Sequence, residues 1–466
     1  MKRREVIQKL AYTVPAGMAF PSLLSSCDQN KIIPTPVYDG NIIIIGAGAS
    51  GLYAAQQFLD KNIEVKVLEA TDRYGGRIRL QKDFFDFPME EGSDWVYGND
   101  NLWYSTVEAA NATLIDYPSN PVYKIDGVIK TESELANDVD FLSAMNFIND
   151  IPNYNGPDLT MVNAVFSAGL PTRVHHIVDA ITSNERGSSF ESVSIKGISD
   201  GQKILNDGEG KYFSSNHAHV NLLGGAYNQV VSNTNRLALN TPIEQVDYSD
   251  INVIRLTDLN GEVHECTILI VTVPISVLKS GYINFVPNLP INTTSAMNRI
   301  GMDIGYKVML GFYVNFWGKE VSSIYTDGVA PEYYAPGKGR SLHDENRILS
   351  ALIMGKQAEE LDGKSDEEIV QKLIDELDLL YDGEATQQRD ENTTYVTNWG
   401  NMPYIQGVKS YPLVSGTGAA EEYARPINDR LFFAGEATAL NGNYGTVQGA
   451  LESAERVVNE VLAVIL

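Results

Sequence analysis

The sequence predicts an α/β protein. One domain is built on a buried parallel sheet from three separated blocks, and a discontinuous mixed α+β domain is inserted between them. Three observations carry this reading. A β-branched run, Asn41-Ile42-Ile43-Ile44-Ile45, feeds directly into Gly46-Ala47-Gly48-Ala49-Ser50-Gly51, which opens a helical segment, Leu52 to Leu59. A second strand-like run, Ile63 to Leu68, ends on an acid, Glu69. Far downstream, Leu431-Phe432-Phe433 leads into Gly435, and residues from Val447 to Leu462 carry apolar side chains at helical intervals. Short, wholly apolar strands bounded by turn signals are characteristic of parallel sheets covered on both faces.

The first element of the chain precedes that core. Met1-Lys2-Arg3-Arg4 is followed by an apolar stretch from about Ala11 to Leu24, then Leu24-Ser25-Ser26-Cys27. A basic start, a short apolar segment and small residues before a cleavage point read as a secretory signal, and the apolar part is shorter than a membrane span needs. Arg3-Arg4 resembles a twin-arginine export signal. The segment ending in Cys27 resembles a lipobox, in which that cysteine is lipidated. Residues 1–27 are therefore expected to be an export signal and 28–37 a polar tether. The expected location is the periplasm or cell envelope, with membrane attachment through Cys27.

The next elements form a dinucleotide-binding fingerprint in its required strand–turn–helix–strand setting, a Rossmann-like unit. Gly46 permits the tight turn, Gly48 lets the backbone approach a pyrophosphate, and Gly51 lets the helix pack against the strand. Ala47 and Ser50 complete the loop, whose free N–H groups face the phosphates. Glu69 is placed to accept ribose hydroxyls and would repel a 2′-phosphate. These residues leave FAD and NAD both open.

Flavin is selected by resemblance. The string Glu69-Ala70-Thr71-Asp72-Arg73-Tyr74-Gly75-Gly76-Arg77 resembles the second motif of the flavin-containing amine oxidase family. Met89-Glu90-Glu91-Gly92-Ser93-Asp94-Trp95-Val96-Tyr97-Gly98 resembles the segment beside the flavin ring. Leu223-Gly224-Gly225, Asn240 to Val246 and Ile268 to Leu278 resemble the return to the FAD domain, and Leu431 to Glu436 with Tyr444 to Ala450 its C-terminal motif. The matches run from about residue 41 to 460.

The resemblance implies FAD, with Val246 meeting the adenine through its backbone. It also implies contacts from Ala70, Gly76, Arg77, Gly92, Ser93, Asp94, Trp95, Gly435, Glu436, Thr446 and Val447. Blocks 38–100, 220–285 and 390–466 are expected to form the FAD domain, and 101–219 and 286–389 the substrate domain. No cysteine occurs near the C-terminal motif, so the flavin is expected to be held non-covalently.

For the reacting site the leading residue is Lys307, a lone cation in the apolar run Tyr306 to Phe316. A buried lysine needs a partner or a lowered pKa. The family has a lysine at the matching place beside flavin N5. Trp399 and Tyr444 are the candidate aromatic walls, Tyr444 as one side of a cage. Lys409 and Thr446 stand where some relatives carry aromatics, which puts a two-walled cage in doubt. Glu90, Asp94 and Thr446 are candidate substrate contacts.

The bulk properties agree with a soluble enzyme of small cationic substrates. The 466 residues suit two domains, and 43% hydrophobic with 20% charged residues is a globular profile. A formal charge of −25 argues against nucleic acid, whose phosphates need clustered Lys and Arg, and would attract amines. Cys27, Cys266, His175-His176 and His217-Ala218-His219 show no metal-ligand spacing, so no metal is expected.

The expected reaction is oxidation of an amine by hydride transfer to FAD, with imine hydrolysis, oxygen as acceptor and hydrogen peroxide as product. Rival readings are an L-amino-acid oxidase, which would need a pocket arginine for the carboxylate, a desaturase or protoporphyrinogen-type oxidase of the same superfold, and a non-catalytic flavin-binding protein. The oligomeric state and the particular amine are not legible.

Overall fold

A computed structural model describes residues 38–466 except Asp83, Asp86, Ser215, Asn216 and 340–345. The export signal, the tether and Cys27 lie outside the described residues.

A five-stranded parallel sheet organises one side of the fold, in the order Leu237–Ala238, Val65–Leu68, Ile42–Ile45, Ile268–Val271, Leu431–Phe433. Every pairing in it is parallel. The Ile42–Ile45 strand is central, and all four isoleucines are buried because each face has its own cover. Ile42 and Ile44 pack with the helices Ala49–Leu59 and Val447–Ile465. Ile43 and Ile45 pack with a four-stranded sheet that includes Ile243–Asp247 and Ile254–Asp258. This double cover is why the run shows no polar alternation.

The second large sheet has seven strands, in the order Arg389–Asn398, Gly305–Phe312, Ile348–Met354, Glu332–Tyr334, Ser323–Tyr325, Val122–Ile125, Val128–Thr131. Its strands alternate faces. Tyr306, Val308, Leu310, Ala351 and Ile353 pack on one side with Ile369, Leu373 and Leu377 of the Asp366–Leu380 helix. That helix starts with a capping box between Ser365 and Glu368. The strand expected over Tyr306 to Phe316 stops at Phe312, and Tyr313 then takes its hydrogen bond from outside the ladder, donating to the Gln388 carbonyl.

Two block boundaries differ from expectation. The Arg389–Asn398 strand pairs with Gly305–Phe312, so the last block begins inside the seven-stranded sheet. The Leu102–Ala109 helix buries Trp103 and Val107 in the core beneath the parallel sheet, so the first inserted block begins after that helix. In both cases packing of an apolar face, which is set by tertiary neighbours, decides where the segment goes. Among the described residues no helix is long and apolar enough to cross a membrane.

Candidate functional site

One cavity of about 650 Å³ runs from the carboxyl ends of the parallel strands to the polar face of the seven-stranded sheet. That is within the usual range for cofactor and substrate pockets, and strand carboxyl ends are where α/β folds bind ligands.

At the strand end, Gly46 has φ +105°, and a Cβ there would lie 2.7 Å from Thr272 Oγ1. A Cβ on Gly51 would sit 2.0 Å from the Gly46 carbonyl oxygen, so only glycine lets the helix begin this close. A Cβ on Gly48 would meet no atom within 4 Å; that space belongs to the cavity. Ser50 lines it, and its buried hydroxyl has no hydrogen-bond partner. The Ala49–Leu59 helix has no side-chain cap. Open space, an orphan hydroxyl and an uncapped helix N-terminus fit a bound pyrophosphate. Ala47 and Gly51 do not line the cavity. The Ala47 amide donates to Glu69 Oε2 at 2.8 Å, fixing the acid, while Gly51 supplies the close packing.

Glu69 Oε1 also accepts from the Thr71 amide at 2.9 Å and hydroxyl at 2.7 Å, so its carboxylate is held at the cavity wall. Val246 is displaced from its expected role. It is wholly buried in its strand, opposite Leu256 and Phe285, and Asn240, Thr241 and Ile243 line the cavity instead. The resemblance placed the adenine contact on Val246, three residues past the lining residue Ile243.

The two FAD motifs meet at Glu436. Its Oε1 accepts from Arg77 Nη1 at 2.9 Å, and its Oε2 accepts from the Ser410 hydroxyl and, at 2.7 Å, from the Gly445 amide. Arg77 also donates to the Val408 carbonyl at 2.8 Å. This carboxylate therefore ties four segments into one wall. Ala70, Gly76, Arg77, Gly92, Ser93, Asp94, Trp95, Gly435, Thr446 and Val447 all line the same space. The Thr446 hydroxyl is already engaged: it caps the following helix by accepting from Gly449 N and donates to the Asn443 carbonyl.

Lys307 is 2% exposed and lines the cavity. Its ammonium donates to both Asp94 oxygens, at 2.7 and 2.6 Å, and to the Glu90 carbonyl. The Tyr334 hydroxyl donates to Asp94 at 2.7 Å. Alternation on an apolar strand turns Lys307 away from the helix-covered face and toward the cavity. Glu90 is not a cavity residue. Its side chain turns back to accept from the His219 amide at 2.7 Å, because alternation sends Glu90 and the lining residue Glu91 to opposite sides. Trp399 lines the cavity, with a Cβ at Gly92 falling 3.1 Å from its ring.

Tyr444 does not line the cavity. Its ring lies against Gly201 of the Ile195–Ile204 helix and beside Arg186, leaving Lys409 and Thr446 as the lining side chains of that wall. An aromatic patch stands elsewhere in the cavity: Trp95, Tyr97, Tyr117 and Tyr334. Lys211 Nζ sits 4.4 Å from the Trp95 ring centre.

The far chamber also holds acids that no local motif announces. Glu185 accepts from Lys211 at 3.4 Å and from the Tyr97 hydroxyl at 3.3 Å. Burial pushes its carboxyl up, but Lys211, Lys409 and Arg186 outweigh burial and hold it at about 2. Glu332 is 7% exposed and accepts one neutral hydrogen bond, from Ser323 at 3.1 Å. Burial raises it to about 7. Lys307 pairs with Leu352, and Leu352 with Glu332, so the three share one row and one face of the sheet. Two inter-strand spacings put Lys307 and Glu332 about 10 Å apart. The only sequence signal for Glu332 was an acid inside a strand.

Elsewhere, His175 and His176 each bond a backbone carbonyl through Nε2, at 2.8 and 2.9 Å. Asp258, Glu262 and His264 cluster at a hairpin turn. Each imidazole nitrogen there faces a different carboxylate, at 3.5 and 3.9 Å.

Comparison with known proteins agrees with this geometry. The family model "Flavin containing amine oxidoreductase" matches residues 49–144 and 223–462. Human lysine-specific histone demethylase 2 is 26% identical over 486 residues, covering 99% of this chain and 58% of its own length. The chain thus spans little more than half of that relative. Polyamine oxidase 2 of Arabidopsis thaliana is 27% identical over 438 residues, covering 88% of this chain and 85% of its own. Among solved structures, cyclohexylamine oxidase from Brevibacterium oxydans IH-35A superposes with a TM-score of 0.76 at 18% identity, over 92% of this chain and 99% of that one.

Proposed function

The chain belongs to the flavin-containing amine oxidoreductases, and from that premise we propose that it uses non-covalently held FAD to oxidise a small-molecule amine. The observation that carries this reading is the continuity of one cavity from the phosphate cradle, past Lys307 and Asp94, to a chamber of buried acids.

FAD held there would supply the acceptor for hydride from the carbon next to the amine nitrogen, with oxygen as the final acceptor and hydrogen peroxide as the product. The chain supplies position and electrostatics. Uncapped helix amides and Ser50 hold the pyrophosphate, Glu69 the ribose, and the Arg77–Glu436 wall the central chain. Trp399 and the Trp95 patch exclude water from the reacting carbon. The Asp94 carboxylate keeps Lys307 in one place as a fixed cation. The imine product hydrolyses in water.

The chamber's chemistry favours an amine over the rivals. Of the three arginines lining the cavity, Arg77 is paired with Glu436 and Arg79 with Glu91, each at 2.9 Å, while Arg73 donates to the Ile78 carbonyl at 3.4 Å and has Arg79, Glu91, Asp72 and Glu69 as its charged neighbours, away from the far acids. That leaves an amino-acid carboxylate without its fork-shaped partner. A desaturase takes an apolar substrate and a porphyrinogen carries anionic propionates, and both would be poorly served by the acids Glu185 and Glu332. Glu332 in turn offers a seat for a second cationic group, favouring diamines over monoamines. Export with lipid attachment at Cys27 belongs to the same reading, an amine-oxidising enzyme working outside the cytoplasm.

Anaerobic mixing of the FAD-loaded protein with primary monoamines, diamines and amino acids tests this. Bleaching of the visible flavin bands by an amine is expected. If dithionite bleaches them and every amine leaves them unchanged, the reading fails.

A further inference from the structure

The mechanism leaves one step without an owner. Aliphatic amines arrive at neutral pH as ammonium ions, since their pKa values lie near that of lysine, roughly 10. An ammonium nitrogen has no lone pair to support the carbon as hydride leaves. The proton has to leave, either to solvent before the amine binds or to a group in the cavity.

Three lysines line the cavity, and their partners differ in kind. Lys307 is held by both Asp94 oxygens. Lys211 faces Glu185 at 3.4 Å and the Trp95 ring at 4.4 Å. Lys409 donates a single hydrogen bond, to the Glu185 backbone carbonyl at 2.8 Å, and has no ion pair to a carboxylate among the described residues. Removing a proton from Lys307 or Lys211 would dissolve an ion pair. Removing one from Lys409 breaks no contact ion pair, because a neutral amine still donates to the carbonyl, and it gives up only the longer-range attraction to the Glu185 carboxylate, which Lys211 and Arg186 continue to hold. Lys409 is fixed in sequence next to Ser410, whose hydroxyl binds Glu436, and its Cβ packs close to Gly445. It therefore stands on the wall that carries the FAD motif.

Resting on the amine-oxidation reading above, we propose that neutral Lys409 is the base that receives the proton of an incoming ammonium substrate. The ammonium gives its proton to the Lys409 amine: one N–H bond breaks on the substrate and one forms at Nζ. The substrate nitrogen keeps its lone pair, and Lys409 later returns the proton to solvent.

The surroundings agree with that role. Burial pushes Lys409 down, Glu185 pulls it up, Lys211 and Arg186 push it down, and Asp94 pulls it up, with a net lowering. Lys307, Glu332 and Glu436 are further charged groups of the shared cavity, whose remaining charges are Glu69, Asp72, Arg73, Arg77, Arg79 and Glu91.

The test uses the FAD-loaded protein and tert-butylamine, which has no hydrogen on the carbon beside nitrogen and is not oxidised. Calorimetric titration at pH 8 in two buffers of different ionisation enthalpy counts the protons released. The wild type should release close to none, because Lys409 keeps the proton. Lys409→Met should release about one per amine bound, and its affinity should climb about tenfold per pH unit between pH 8 and 10. Lys409→Arg, which keeps the charge but cannot act as a base, should bind the amine weakly at every pH and guards against a misfolded Met variant. Equal proton release by wild type and Lys409→Met overturns the proposal. That outcome is distinct from failure of the amine reading, in which no amine bleaches the flavin of the wild type.

Discussion

At the scale of single residues, the site is governed by which charges are paired. Lys307 and Asp94 are both largely buried and lie 2.6 Å apart. Removing one partner strands the other. Asp94→Ala should therefore cost about 3–5 kcal/mol in urea unfolding, while Asp94→Ala with Lys307→Met should recover much of that loss. Lys307→Met alone should slow turnover severely, and unchanged kinetics in that variant would count against its role.

Glu332 is the opposite case, a carboxyl with one neutral donor and a pKa of about 7. Its folded pKa lies above the unfolded value of about 4.3, so burial favours the protonated form. Its contribution to stability is complete below about pH 4.3 and is lost as pH rises to about 7. Over the same upper range it becomes the anion that a second ammonium needs. The KM for a diamine should fall as pH climbs through about 7, and Glu332→Gln should raise that KM about tenfold at pH 8 with little change for a monoamine. A diamine KM indifferent to this change would remove Glu332 from substrate recognition.

At the scale of elements, one uncapped helix N-terminus marks the proposed phosphate site in the protein itself. The Ala49–Leu59 helix starts on Gly48 with no side-chain cap, and the buried Ser50 hydroxyl finds no partner within the protein. A hydrogen bond to a charged group contributes about 1.5–3 kcal/mol. Ser50→Ala should weaken FAD binding by roughly ten- to a hundredfold while leaving the melting temperature of the apoprotein unchanged or slightly raised. A variant that binds FAD as the wild type does would show that the hydroxyl faces something else. The Val447–Ile465 helix differs: Thr446 caps it through Gly449, so its threonine is spent on the helix and is a poor substrate contact.

At the scale of the whole molecule, an acidic chain of net charge −25 encloses a cavity whose lining mixes both signs. A field of this sign attracts cations such as protonated amines. The segment ending at Cys27 bears on where this happens. Expression of the full chain with a lipid-labelling reagent should tag the protein and send it to the membrane fraction, and Cys27→Ser should release it; a tagged Cys27→Ser protein would refute lipidation at this residue.

The parts of this protein that were legible in its sequence are those in which one short segment contains the whole physical reason. Ile42 to Gly51 carries strand, turn and helix start in ten consecutive residues; Gly46 is demanded by its own φ of +105° and Gly51 by the Gly46 carbonyl of that same turn. Lys307 stood out because a cation inside an apolar strand needs an explanation wherever it occurs. Side-chain direction and long-range company were not legible. Glu90 and Glu91 are neighbours in sequence, yet only Glu91 faces the cavity; Val246 gave way to Ile243; and Tyr444 turned toward Gly201. Glu185, Lys211, Glu332 and Lys409 come from four distant segments, and no spacing rule links them. Local sequence fixes backbone conformation through sterics and periodicity, whereas the charge state and partner of a buried group depend on what the rest of the chain brings to it.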